Sequence, residues 1–459
     1  MIDRRTFLGG AAASGAAALG LGACAPSGPT GDDVIRYWGY GAADVRFDEA
    51  ALAAFRQTDA GRDVTISVNQ VPSNGASDNS QIITAVRGGT APDLWLMDRF
   101  NAVQNASIGL LEPIDGMIEE FEGVSVEEFS AQWLQFAIDE LTYDGRLYGL
   151  PMSTDARGIE YNENLLRKFD VDLDLFDPQQ HVLTWDELRE AARQITTMDS
   201  RGNYEYLGFC PWRDEAWSYT WGFGLGAQLY DNATSSITLD SPEWLAVHEL
   251  YADWAEEYPY ASVDAFFATY QPPNAPPTQN AMFSERLAML TTGPFAIRGN
   301  EKYAPDLPLK FTYLPVNTAG DDIYTWSGGS AFVVPHGANM TKNLWEFMKF
   351  YAGTPGQNLI MPMLGDLPTN IQTIVDGNYN QKAELFREML PYSTSRPPLP
   401  VGSAAWATLA RTRTSVALGS MTPQEAIDTN QAMVEPKMAL FEGYQMPDTY
   451  GQMSEIPEA

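Results

Sequence analysis

The residues best suited to chemistry in this chain are carboxylates, arginines and tryptophans. Only three histidines occur, His181, His248 and His336, with no metal-ligand spacing among them, which argues against zinc chemistry and against a serine–histidine nucleophile. Asp98-Arg99 closes the apolar stretch 94–97, with Trp95 three residues before the acid. Such a pair is either an ion pair at a strand end or a polar clamp for a ligand. A second cluster, CPWRDEAWSYTWGFG (210–224), holds Asp214-Glu215 among Trp212, Trp217 and Trp221, at least one of them expected in the core. With Asp98 or Asp155 these acids could form a glycosidase pair, although a binding protein needs carboxylates as well. Trp326 stands next to Gly328-Gly329, where the backbone can approach closely, and either touches a ligand or packs a hinge. Arg298 and Arg396 could meet an anionic substituent.

The elements that must position these groups begin with alternating strand and helix patterns. VIRYW (34–38), VTISV (64–68) and LWLM (94–97) read as strands. Helical spacing over 44–57 and 80–89, the second closed by Gly88-Gly89, lies between them. Strand–helix–strand–helix–strand predicts an α/β lobe with right-handed parallel crossovers, whose ligands sit outside the carboxyl ends of the strands. Those ends carry Tyr40, Gln70 and Asp98-Arg99. Further on, Thr184 with Glu187 and Thr422 with Glu425 read as capping boxes. Ser241 reads as an N-cap before Pro242, and Thr341 and Gly353 bracket another helix. Trp185, Trp244, Trp254 and Trp345 fall on helical faces and are expected in the core.

The 459 residues carry 28 basic and 60 acidic side chains, a formal charge of -32, which disfavours nucleic acid and anionic lipid surfaces as partners. Arg4-Arg5 followed by Phe7-Leu8 and a small-residue apolar run ending in LGAC reads as a twin-arginine export signal with a lipobox. Residues 1–23 would be removed, Cys24 lipidated, and 24–32 left as a tether. Cys210 is the other cysteine, so lipidation of Cys24 precludes an intrachain disulfide. The expected location is the periplasm or the outer face of the cell membrane.

GGTAPDLWLMD (88–98), IGLLEPID (108–115), YDGRLYGLPMSTDARGIEYNENLL (143–166), TWDEL (184–188), MFSERLAMLTTGPFAI (282–297) and YAGTPGQNLIMPMLGDLPTN (351–370) follow one another in the order found in a known family. The chain resembles the family 1 extracellular solute-binding proteins, the sugar-binding subunits of ABC importers, over nearly all of its length after Cys24. The resemblance implies an α/β, two-lobe periplasmic-binding-protein fold with a hinge the chain crosses more than once. It places one lobe at 33–152 and 330–372 and the other at 155–327 and 375–459, closing on ligand by hinge motion.

The site segments resemble the maltose-binding branch of that family. They imply ligand contacts from Trp95, Asp98, Arg99, Asp155, Glu215, Trp217 and Trp406, with Trp221 in the same stretch. Gly293-Pro294-Phe295 departs from the branch's Gly-Pro-Trp, keeping a ring but losing indole area, and the branch's early Asp-Lys pair has no counterpart. Tyr40, Gln70 and Trp326 complete the expected set.

A sugar offers C–H faces that pack on aromatic rings and hydroxyls that suit paired donors and acceptors. The implied function is delivery of a mono- to trisaccharide to a membrane permease by a monomeric binding protein, without catalysis, cofactor or metal. A glycerol phosphodiester or sulfonated sugar is the alternative ligand, a carboxylate-dependent glycoside hydrolase the alternative class, and service to a chemoreceptor is not separable by sequence. On this reading Asp98 and Arg99 neutralise each other while both clamp hydroxyls. Asp98→Ala should then cost about 2–4 kcal/mol of binding and little stability.

Overall fold

The computed structural model describes residues 31, 33–40, 46–71, 79–452 and 456. The export segment, Cys24 and the rest of the tether 24–32 except Gly31 lie outside the described residues.

The opening pattern folds as read. Strands β1 (Val34–Tyr40), β2 (Thr65–Val71) and β3 (Leu94–Asp98) are separated by helices α1 (Arg46–Phe55) and α2 (Ser80–Arg87). β1 lies between β2 and β3 and pairs with both in parallel. α2 buries Ile82 and Ala85, and Gly89 ends it with a φ of 65°, a left-handed turn that favours glycine. A late strand, Ser330–Pro335, returns to this sheet antiparallel to β3 and also pairs with Gly149–Pro151 and Leu111–Glu112. All six of its residues are buried, which explains a sequence, SAFVVP, that is apolar rather than alternating. Tyr37, Leu96, Phe332, Trp345 and Phe347 belong to the core on this sheet.

A second sheet is built around Gly158–Asn162, flanked by Met289–Thr292 and Leu309–Thr312, both antiparallel to it. Its core is helical and rich in indole: Trp221, Trp244 and Trp254 are almost wholly buried there, and Trp185 packs against them. Trp244, Trp254 and Trp345 are buried as expected, and Trp185 is partly buried against the second core. Both capping boxes form, with Thr184 and Thr422 accepting from the backbone N–H of Glu187 and Glu425. Ser241 has the extended backbone of an N-cap but makes no side-chain cap hydrogen bond, so Pro242 opens that helix without one.

Short ladders join the passages between the two sheets. Ser153–Thr154 pairs antiparallel with Leu367–Pro368, and Thr325–Ser327 pairs parallel with Ser393–Ser395. Between them the backbones are pressed together: a Cβ added at Gly329, whose φ is 141°, would stand 2.0 Å from the carbonyl oxygen of Ser153. Only glycine fits there. The mixed α/β architecture, with discrete sheets bridged several times, is the two-lobe periplasmic-binding-protein fold. No helix among the described residues is long and apolar enough to cross a membrane.

Candidate ligand-binding site

The bridging ladders and the ends of both sheets bring together four arginines, five carboxylates and several rings. Asp98, at the end of β3, also caps the following turn by accepting from the Phe100 backbone N–H at 3.0 Å. Its carboxylate is gripped by both terminal nitrogens of Arg396, at 3.1 and 2.5 Å, across a sequence separation of 298 residues. Burial alone would lower the basicity of the Arg396 guanidinium, but the charges of Asp98 and Glu140 outweigh it and keep the group protonated. The same guanidinium lies 4.7 Å from the Phe100 ring centre, 5.4 Å from Trp326 and 5.8 Å from Trp406.

Arg99 points elsewhere. It has no exposed surface, its Nε donates to Glu140 at 2.7 Å, and its terminal nitrogens donate to the backbone carbonyls of Ser153 and Gly328. Burial drives the Glu140 carboxyl upward from its usual range, against the pull of Arg99. The anticipated clamp of Asp98 with Arg99 is therefore corrected: Asp98 pairs with Arg396, and Arg99 ties β3 to the crossing segments. Consecutive residues leaving a strand face opposite sides, so one pair of neighbours cannot easily address one ligand. The same alternation puts Trp95 and Asp98, three apart, on opposite faces of β3, and Trp95 packs partly buried against the first core. Trp95 is not among the rings that meet the arginines.

The segment after the first crossing supplies Asp155 and Arg157. Asp155 accepts from the backbone N–H of Gly328 at 2.6 Å and pairs with Arg157 at 2.6 Å. Arg157 also donates through Nε to Glu215 at 3.2 Å, and its guanidinium carbon stands 4.0 Å from the Trp326 ring centre and 5.4 Å from that of Phe295. Glu215 in turn accepts from the indole N–H of Trp217 at 3.2 Å. Asp366, beside Leu367–Pro368, is pushed up to about 7 by burial and by the charge of Asp155. The ring centres of Trp217 and Trp406 lie 4.6 Å apart, and Trp406 stacks on Tyr219 at 5.3 Å. Arg413 approaches the Trp217 ring at 4.6 Å.

Asp98, Asp155, Glu215, Trp217, Phe295, Trp326 and Trp406 are thus assembled in one cluster. Within it, Asp98, Glu215, Trp217 and Trp406 are partly exposed, Phe295 is 37% exposed, and Trp326 only 2%. Trp221 is buried in the second core, its indole N–H donating to the Pro211 carbonyl. Tyr40 ends β1 and Gln70 is the last residue but one of β2, with both side chains outside the described residues. Arg298 lies on the helix Phe295–Tyr303. Sequence reasoning missed Arg157, although it lies two residues after Asp155 in a segment already singled out; a guanidinium so close to an acid was the available signal. The role of Arg396 rests on a contact that no local pattern encodes.

A wide surface groove of about 1540 Å³ lies elsewhere, lined among others by Tyr161, Asp172, Leu307, Lys382 and Glu388. None of the residues anticipated for the site lines it; its walls carry ion pairs of their own, Glu163 with Arg167 and Lys310 and Glu301 with Lys382, but no tryptophan.

Similar proteins share this architecture. A Brucella abortus chain named simply as a binding protein is 22% identical over 388 residues, 84% of this chain and 88% of its own. A solved structure with mannobiose bound superposes with a TM-score of 0.73 at 18% identity, covering 88% of this chain and 99% of that one. An ABC-transporter solute-binding protein from Thermotoga lettingae, bound with α-D-tagatose, gives 0.71 at 23% identity, covering 88% and 100%. The matching family is one of solute-binding proteins rather than of the glycoside hydrolases weighed above. With the family model matching residues 40–358, the chain belongs to the bacterial extracellular solute-binding proteins.

Proposed function

We propose that this protein is the carbohydrate-binding lipoprotein of an ABC importer, holding a mono- to trisaccharide between its lobes and presenting it to the permease. The lobes are taken as 33–152 with 330–372 and 155–327 with 375–459, and the anchor as Cys24. The observation that carries the reading is the single cluster in which partly exposed rings, Trp217, Trp406 and Phe295, border carboxylates already paired with buried arginines. Rings supply the surface for sugar C–H faces, and the outer lone pairs of Asp98 and Glu215 supply acceptors for hydroxyls. Solved relatives with mannobiose, mannotriose and tagatose bound support the class.

Arg157 is paired with Asp155 and Glu215, and Arg396 with Asp98, which leaves Arg413, held by the Ala216 carbonyl beside Trp217, as the cluster's one arginine without an acid partner among the described residues, against a surplus of carboxylates. That favours a neutral sugar over a glycerol phosphodiester or a sulfonated sugar. A thermal-shift screen across sugars, polyols and sugar acids, followed by calorimetric titration of the hits, tests this. A rise in melting temperature with neutral sugars is expected, since ligand binds the native state alone. Response to anionic ligands only would reject it. Ligand should also compact the particle in small-angle scattering, and mass spectrometry of membrane-extracted protein should find an acylated Cys24 at the mature terminus.

A further inference from the structure

We infer that Arg157 sets how many sugar rings the site can stack, by covering the face of Trp326 with its own guanidinium. This rests on the carbohydrate reading above and adds the residue that limits ligand length. At 4.0 Å from the ring centre the guanidinium lies within cation–π range of Trp326, and it reaches Phe295 at 5.4 Å. Both partners are fixed. The Arg157 backbone N–H donates to the Thr325 hydroxyl at 2.7 Å, and that hydroxyl donates to the Arg157 carbonyl at 2.9 Å. Thr325 is the residue before Trp326, whose indole N–H donates to the Thr220 hydroxyl at 2.9 Å. Asp155 and Glu215 then hold the guanidinium itself.

A planar guanidinium and the C–H face of a pyranose compete for the same kind of surface. With Arg157 in place Trp326 is nearly inaccessible, and the platforms left to a ligand are Phe295, Trp217 and Trp406. Shortening residue 157 frees the part of Trp326 that it covers, the Arg396 guanidinium standing farther off at 5.4 Å, together with part of Phe295, and so adds a stacking position. The carboxylates it leaves are still engaged: Asp155 accepts from Gly328 N–H and Glu215 from the Trp217 indole.

The test is calorimetric titration of the full mature chain, wild type and Arg157→Ala, with mannose, mannobiose and mannotriose and with glucose, maltose and maltotriose. The ratio of trisaccharide to monosaccharide affinity should rise about three- to tenfold in the variant, the value of one added stacking contact. Arg157→Gln, shorter and uncharged, should shift the ratio in the same direction and covers the case in which the alanine variant fails to fold. A ratio unchanged within about twofold, with wild type binding sugars, overturns the inference and leaves the carbohydrate reading standing. A wild type that binds no member of either series removes both.

Discussion

Arg99 and Arg157 are both buried arginines paired with acids, yet their surroundings differ in kind. Arg99 is enclosed by Glu140 and two backbone carbonyls, with the Phe136 ring at 5.8 Å, and nothing in that shell reaches solvent. Arg157 meets Trp326 and Phe295 on its faces and Glu215 at its edge, and two of those three are partly exposed. An ion pair whose every neighbour is buried can only be structural, whereas one whose partners keep an open edge leaves those partners within reach of solvent. The same pairing chemistry serves both ends, so charge type alone does not identify a binding site.

Variants can break this contrast. The largest effect is expected at the enclosed pair: Arg99→Ala leaves Glu140 buried without its cation and should cost about 3–5 kcal/mol of stability in denaturant titration. Loss of sugar affinity with full stability would contradict its structural role. Asp98→Ala comes next. It strips the buried Arg396 of its carboxylate, so about 1–3 kcal/mol of stability should be lost together with affinity, rather than affinity alone as the sequence implied. Thermal melts without ligand and calorimetry with it separate the two; an unaltered melt would restore the earlier view.

Removing a partly exposed ring should move binding more than folding. Trp217→Ala should cost about 0.5–1.5 kcal/mol of affinity from lost stacking, and retention of full affinity would exclude it from the ligand's path. A pH-dependent effect concerns a buried acid behind the candidate site. Glu160 lies in the central strand Gly158–Asn162, accepts from the Asn300 amide on the helix that starts at Phe295, and is pushed up to about 7 by burial. A raised carboxyl pKa favours the native state below the ordinary glutamate value of 4.5, and that contribution is lost as pH rises through about 7. Glu160→Gln should therefore flatten the decline of stability between about pH 4.5 and 7. A slope identical to wild type in urea titrations at both pH values would remove Glu160 as its source.

Much of the architecture was legible in the residues. Apolar runs with glycine stops gave β1, α1, β2, α2 and β3, because period and capping are local properties. The core packing of Trp185, Trp244, Trp254 and Trp345, the first of them only partly buried, followed from helical spacing. Residue types also narrowed the site, since Asp98, Asp155, Glu215, Trp217, Phe295, Trp326 and Trp406 do converge. Their pairing was not legible. Asp98 and Arg99 look like partners in the sequence but diverge in space, whereas Arg396 reaches Asp98 from a distant segment.

The sequence by itself determined the local elements, the poverty of metal and nucleophile chemistry, and the pool of side chains from which a site could be drawn. Tertiary structure decided which charges neutralise one another and which rings remain uncovered. Helix and strand patterns depend on neighbours within a few residues. The partner and exposure of a charged group depend instead on where the crossing segments Ser153–Thr154, Thr325–Ser327 and Ser393–Ser395 are laid side by side.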